Sequence, residues 1–189
     1  GMAYYQYGDD KQRSRKTIVR PGGIREERLY LGGMERYRRW QGATLVEEIE
    51  TFHVFEGEQR ILMVENVIST DNNQLEPGLL YRYQYCNHLG STALELNGAA
   101  EIISYEEYHP YGTTAFQAKN GAIRCVAKRY RYTGMERDEE SGLAYHTARY
   151  YLPWLGRWGS CDPIGVEGGV NVYKYAQNTP ILLNDKKGL

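Results

Sequence analysis

At 189 residues and 21.8 kDa the chain has the length of one domain with a sizeable core. Its 23 basic and 24 acidic residues leave a formal net charge of −1, which gives no footprint for nucleic acid or an anionic membrane surface. No apolar run is long enough to span a bilayer, no signal-peptide pattern is visible, and Cys86, Cys125 and Cys161 imply no disulfide framework.

Eighteen Tyr against three Phe favours β structure with shallow layers over a helical bundle, because Tyr suits a half-buried pleated surface with its hydroxyl wet or bonded to backbone. Gly1-Met2 reads as a tag remnant before an initiator methionine. Tyr-rich pairs then begin at Tyr4, Tyr37, Tyr81, Tyr105, Tyr130, Tyr150 and Tyr173. From Tyr81 onward the steps are in the low twenties, the period of one strand pair with its turns. A Tyr-rich sheet with accidental spacing is the plainer alternative.

Thr51 to Phe55 and Arg60 to Glu65 read as strands, and the polar stretch Asn66 to Gly78 as a surface loop closing on Pro77-Gly78. Tyr81, Tyr83 and Tyr85 alternate with Arg82 and Gln84, and Tyr130 and Tyr132 with Arg129 and Arg131. A period of two sets rings on one face and charges on the other. Asn97-Gly98 and Asn120-Gly121 sit between β-prone runs, so type I′ hairpins are expected over 92–105 and 114–127. Glu136 to Arg149 lacks an apolar stripe at helical spacing and has room for one short turn. Residues 1–128 therefore read as repeat strands and 129–189 as an irregular segment continuous with them.

Asp138 and Asp162 lead the chemically interesting residues. Each sits beside a Gly- or Pro-bearing turn, so a fold could bring them together. Two carboxylates in hydrogen-bond reach share a proton and can serve as acid and base on an attacking water. Arg137 could orient a carboxylate or steady an oxyanion. The plainer readings are a solvated ion pair for Arg137-Asp138 and a self-capped turn for Asp162-Pro163. Trp154, Trp158, Tyr150 and Tyr151 read as packing, with sugar stacking as the rival. Cys86-x-His88 is too little for zinc, and no metal or cofactor is implied. Cys161 reads as a plain buried thiol. Gly165 to Gly169 lacks the context and the Lys-Ser/Thr of a phosphate loop.

One ordered series of motifs is more specific than any of these. It runs Tyr132-Thr133-Gly134-Met135-Glu136-Arg137-Asp138, Gly142-Leu143, Ala148-Arg149-Tyr150-Tyr151, Pro153-Trp154 and Gly156-Arg157-Trp158. Asp162-Pro163-Ile164-Gly165 and Asn171-Val172-Tyr173-Lys174-Tyr175 complete it. The series resembles the core domain associated with Rhs (YD) repeats of bacterial polymorphic toxins and of the C component of insecticidal Tc toxin complexes. Upstream, Tyr83 to Ser91 and Ile102 to Tyr108 resemble the preceding repeats.

The resemblance implies a hollow β-repeat casing around a C-terminal toxin, bacterial and secreted or at the cell surface. An aspartic peptidase site acts once, in cis, just after a Gly-Leu. Asp138 and Asp162 match the two family aspartates and Arg137 the adjoining arginine. Gly188 and Leu189 match the cleavage segment, with Leu189 filling an apolar pocket. The chain end then corresponds to a product terminus, or to an artificial boundary imitating one. Lys186 departs from the family by replacing a proline that would hold the segment extended. The implied partners are a C-terminal toxin passenger in cis and other shell or Tc-complex subunits, with a dimer through open strand edges for an isolated piece. The rival function is a non-enzymatic encapsulating or carbohydrate-binding repeat module.

Overall fold

The computed structural model describes residues 1–73 and 75–189; Gln74, within the stretch expected as a loop, lies outside the described residues. Among those described the chain is antiparallel β throughout, with short 3-10 turns as its sole helical elements. The larger sheet follows chain order: β1 (Met2–Tyr7), β2 (Arg13–Arg20), β3 (Ile24–Tyr30), β4 (Met34–Gln41), β5 (Thr44–Glu56), β6 (Gln59–Thr70), β7 (Gly78–Cys86), β8 (Thr92–Leu96), β9 (Ile102–Tyr108) and β10 (Thr114–Lys119). A small sheet holds β11 (Glu136–Arg137), β12 (Ala144–His146), β13 (Arg149–Leu152) and β14 (Arg157–Trp158). Two compact units result, one of Gly1–Gln84, Leu96–Ile103 and Asn120–Ala127, the other of Tyr85–Glu95, Ser104–Lys119 and Lys128–Leu189.

In the first unit the alternation of burial is clean in β5 to β7, and in β7 it is the rings that face out. Tyr81 and Tyr83 of β7 face outward at 42% and 41% exposure, whereas Arg82 and Gln84 are buried. The register continues the outward face as Met34, Phe52, Val64, Tyr81 in one row and Val54, Leu62, Tyr83 in the next. The buried face carries matched charges. Arg82 donates to Glu65 at 3.1 Å and to the Val126 carbonyl at 3.0 Å, and Arg28 donates to Glu35 at 3.0 Å. On the outward face, Arg36 meets Glu50 directly across the β4–β5 ladder, and Arg38 meets Glu48. Opposite charges across a ladder support the pairing, and buried ions persist only when so partnered. Ile49, Val67 and Leu75 form the apolar part of this core, with Tyr37 and Val126 against it.

The strands expected over 51–55 and 60–65 lie inside β5 and β6. The loop expected from Asn66 is shorter, because Asn66 to Thr70 stays in β6, and Leu75 is buried. Neither Asn-Gly pair makes the expected type I′ turn. Asn97 caps a longer connection, its Oδ1 accepting from the amides of Ala99 and Glu101, and the left-handed residue is Ala100. After Asn120 no return strand forms. The Val126 carbonyl takes its hydrogen bond from the Arg82 guanidinium, so a ladder is not needed to satisfy it. Tyr130 and Tyr132 are both buried and Tyr132 opens a 3-10 turn, so that stretch is not an alternating strand.

The second unit is built on aromatic rings. Tyr132, Tyr151, Trp158 and Tyr175 are buried together with Leu89, Ala144 and Ala176. The Tyr151 and Tyr175 centroids lie 4.2 Å apart, and Trp158 meets Tyr175 edge-on at 5.4 Å. Tyr serves here where Phe could not, since Tyr151 donates to the Tyr111 carbonyl and Tyr132 to that of Pro110. Burial pushes the Tyr132 phenol up to about 12. Glu106, fully buried, receives Lys128 at 3.1 Å and Arg131 at 3.2 Å. Burial alone would raise its pKa, but Lys128, Thr114 and Arg131 hold it below the usual carboxylate range. As expected, Trp158 and Tyr151 pack inside; Trp154, by contrast, is 51% exposed, and Cys161 is an exposed thiol rather than a buried one.

Candidate functional site

The site grows from the β12–β13 hairpin of the second unit. Its register sets His146 opposite Arg149 and Ala144 opposite Tyr151. All four are buried, while Tyr145, Tyr150 and Leu152 are half-buried. The two-residue turn is tight: Thr147 has φ of 64°, a value that a β-branched residue rarely adopts.

Arg149 is 3% exposed, and all of its nitrogens are engaged. Nε donates to the Gly188 carbonyl at 2.8 Å, Nη1 to the Val172 carbonyl at 3.2 Å, and Nη2 to Asp162 Oδ2 at 3.2 Å. Asp185 Oδ2 lies 3.5 Å from the same Nη2, and the guanidinium stacks 4.3 Å over the Trp158 ring. Two carboxylates therefore converge on one buried cation, which offsets the desolvation of all three.

Asp162 divides its oxygens. Oδ2 meets Arg149, and Oδ1 accepts the Ile164 amide, as an Asp-Pro turn favours. Asp185 also uses both, with Oδ1 accepting the amides of Gly188 at 2.8 Å and Leu189 at 3.2 Å. The tail is held as a strap. His146 Nδ1 bonds the Asp185 carbonyl at 2.7 Å, the Ala148 amide donates to the Lys187 carbonyl at 3.1 Å, and Arg149 holds that of Gly188. Gly188 is buried with φ of 69°, and a Cβ there would meet the His146 carbonyl at 2.8 Å, so only glycine fits. Leu189 is 55% exposed and opens onto a cleft of about 420 Å³ lined in part by Arg149, Asp162, Ile164, Leu183 and Asp185.

Of the residues singled out in the sequence, Asp162 and Leu189 line this cleft, and Gly188 is bonded to Arg149 of its wall. Asp138 does not line it. Asp138 is fully buried in the β11–β12 turn, where its amide donates to the Leu143 carbonyl and its own carbonyl accepts the Gly142 amide. Arg137 is half-buried, pairs with Ala144, and donates its amide to the Arg129 carbonyl. Sequence reasoning missed Arg149, Asp185 and His146 as site residues. Arg149 had a readable signal: it shares the inward side of β13 with Tyr151, and a charge on that side requires buried partners. Among the described residues no group of His, Cys, Asp and Glu could hold a metal ion, and no helix is long and apolar enough to cross a membrane.

No protein-family model matches the chain. Over 189 residues it is 36% identical to toxin subunit YenC1 of Yersinia entomophaga, an alignment spanning 98% of this chain and 19% of that protein. It is 52% identical over 63 residues to toxin protein Tse5 of Pseudomonas aeruginosa, covering 33% of this chain and 5% of Tse5. Among solved structures, the TcdB2-TccC3 complex superposes with a TM-score of 0.90 at 35% identity, over 99% of this chain and 9% of that one. The chain thus spans about a fifth or less of the length of these curated relatives.

Proposed function

The chain belongs to the Rhs/YD-repeat-associated segments of bacterial toxins, with Tc toxin subunits among its relatives, and from that premise we propose that it walls a casing and cuts the polypeptide after Leu189. Residues 1–128 supply repeat strands and 129–189 the core segment that makes the cut. One observation carries this reading: Arg149 ties Asp162 and Asp185 to the Gly188 carbonyl, one residue before the bond.

Asp162 is the base. It takes a proton from a water that attacks the Leu189 carbonyl carbon, and returns that proton to the leaving amine of the following residue. The C–N bond breaks, leaving a carboxylate on Leu189 and a new N-terminus. Arg149 steadies the developing oxyanion and fixes the segment, while Asp185 orients the Gly188 and Leu189 amides. A tethered substrate needs no turnover, since effective concentration replaces affinity. The partners under this reading are the polypeptide that follows Leu189, other subunits of the complex and, for an isolated segment, a second copy along the edge of β1.

The test is a chain extended past Leu189 and followed by intact mass. Asp162→Asn should slow cleavage by about 10²- to 10⁴-fold, the range general acid–base groups contribute. Asp138→Asn and Asp185→Asn, measured separately, identify the second carboxylate. If Asp138→Asn stops the reaction, it shares the proton with Asp162 and Arg137 tunes the pair, as the family motif implies. Cleavage at the wild-type rate in Asp162→Asn would reject the reading.

A second reading, carbohydrate or surface binding, has one observation in its favour. Trp154 and Tyr173 are 51% and 43% exposed and line, with Asn171, Asn178 and Arg157, a cleft of about 430 Å³. Glycan binding lost in Trp154→Ala would support it.

A further inference from the structure

We propose that His146 is a positioning residue, which sets the tail for cleavage through the main-chain carbonyl of Asp185; the proposal rests on the self-cleavage reading above. The imidazole is fully buried. Trp158, Tyr151 and Tyr175 wall it edge-on, with centroids at 5.1, 5.7 and 6.1 Å. Nδ1 lies 2.7 Å from the Asp185 carbonyl oxygen, and Nε2 meets no hydrogen-bond partner. A carbonyl oxygen only accepts, so the ring proton sits on Nδ1 and the tautomer is fixed.

The hydrogen bond has reach beyond one residue. It anchors the Asp185 backbone, and the Asp185 side chain then caps Gly188 and Leu189 and faces Arg149. His146 stands opposite Arg149 in the hairpin, so both grip the tail from one rigid turn. Its one hydrogen bond goes to the Asp185 carbonyl and not to Asp162, so its effect on rate travels through the position of Asp185.

Packing and positioning make different demands at this place. Asparagine carries an N–H at the distance from the backbone where Nδ1 stands, glutamine carries one farther out, and phenylalanine fills the space with no donor. In the extended chain, His146→Asn should cut within about threefold of wild type, while His146→Phe and His146→Gln should slow by about tenfold to a hundredfold, as a misplacement near 1 Å does. Thermal midpoints are recorded for each variant.

His146→Phe cutting at the wild-type rate overturns the proposal, and so does His146→Asn falling together with His146→Phe. If the wild-type extended chain stays whole, the cleavage reading fails by itself, and amide exchange in the 189-residue chain decides His146. The Gly188 and Ala148 amides should then exchange at least about tenfold faster in His146→Phe and at the wild-type rate in His146→Asn, reporting local opening of the strap. Equal exchange in all three proteins overturns the positioning role.

Discussion

Arg149 places a full charge where water scarcely reaches, and it is held there by carboxylates on one side and an indole on the other. Removing it leaves Asp162 and Asp185 facing each other without their shared cation. Arg149→Ala should destabilise the chain by about 3–5 kcal/mol, the range for breaking a buried pair, as read by denaturant titration. Arg149→Lys keeps the charge but cannot supply three directed nitrogens, so it should retain part of the stability and, under the proposed function, little cleavage of the extended chain.

His146 makes a second prediction, on pH. Burial, aided by the charge of Arg149, holds its imidazole down to about 4, against the bond to Asp185 that opposes this. The unfolded chain then binds a proton that the folded chain refuses. Stability is whole above the ordinary histidine pKa and declines as pH falls from about 6.5 towards about 4, by about 1.4 kcal/mol per unit. His146→Asn should flatten that part of the curve in chemical denaturation at stepped pH. Asp162 and Gly188 were singled out by the family resemblance, since turn chemistry alone reads Asp162 as a self-capped turn. Arg149 left only the hint of a charge in step with Tyr151, and His146 left none, because their roles depend on a hairpin register that sets them opposite each other.

At the scale of elements, the period-two alternation gave β7 but not the stretch 129–132, and the excess of Tyr gave β over helix. The polarity of the faces was not readable. Tyr81 and Tyr83 take one face and Arg82 the other, and Arg82 is inside because Glu65 and the Val126 carbonyl, 17 and 44 residues away, take its charge and its protons. Arg82→Met should cost about 3–5 kcal/mol with Glu65 left buried, and Arg82→Met with Glu65→Leu should recover much of it. Equal losses in the single and double variants would refute the pairing. The Asn-Gly pairs misled for a related reason: Asn97 satisfied neighbouring amides with its side chain, so a longer turn won over a type I′ one. Thr147 carries strain that a glycine would not, of about 1–3 kcal/mol against about 0.5–1 kcal/mol for the entropy of glycine, so Thr147→Gly should raise the thermal midpoint.

Over the whole molecule, family membership was carried by an ordered series of short motifs, and the relatives agree with it across nearly the full chain. The interleaving of the two units was not legible, since residues 96–103 and 120–127 join strands far earlier in the chain. The edge strand β1 exposes Met2 and Tyr4 at 61% and 51%. Sedimentation velocity should find concentration-dependent association of the 189-residue chain, weakened by Tyr4→Lys, since a lysine on an edge strand blunts pairing.

The strap over the β12–β13 hairpin has a mechanical meaning. Three successive grips, on the carbonyls of Asp185, Lys187 and Gly188, make the hairpin a cleat around which the polypeptide is belayed. In any chain that continues past Leu189, tension from beyond that point would be discharged into this small sheet before it could tug on the upstream strands.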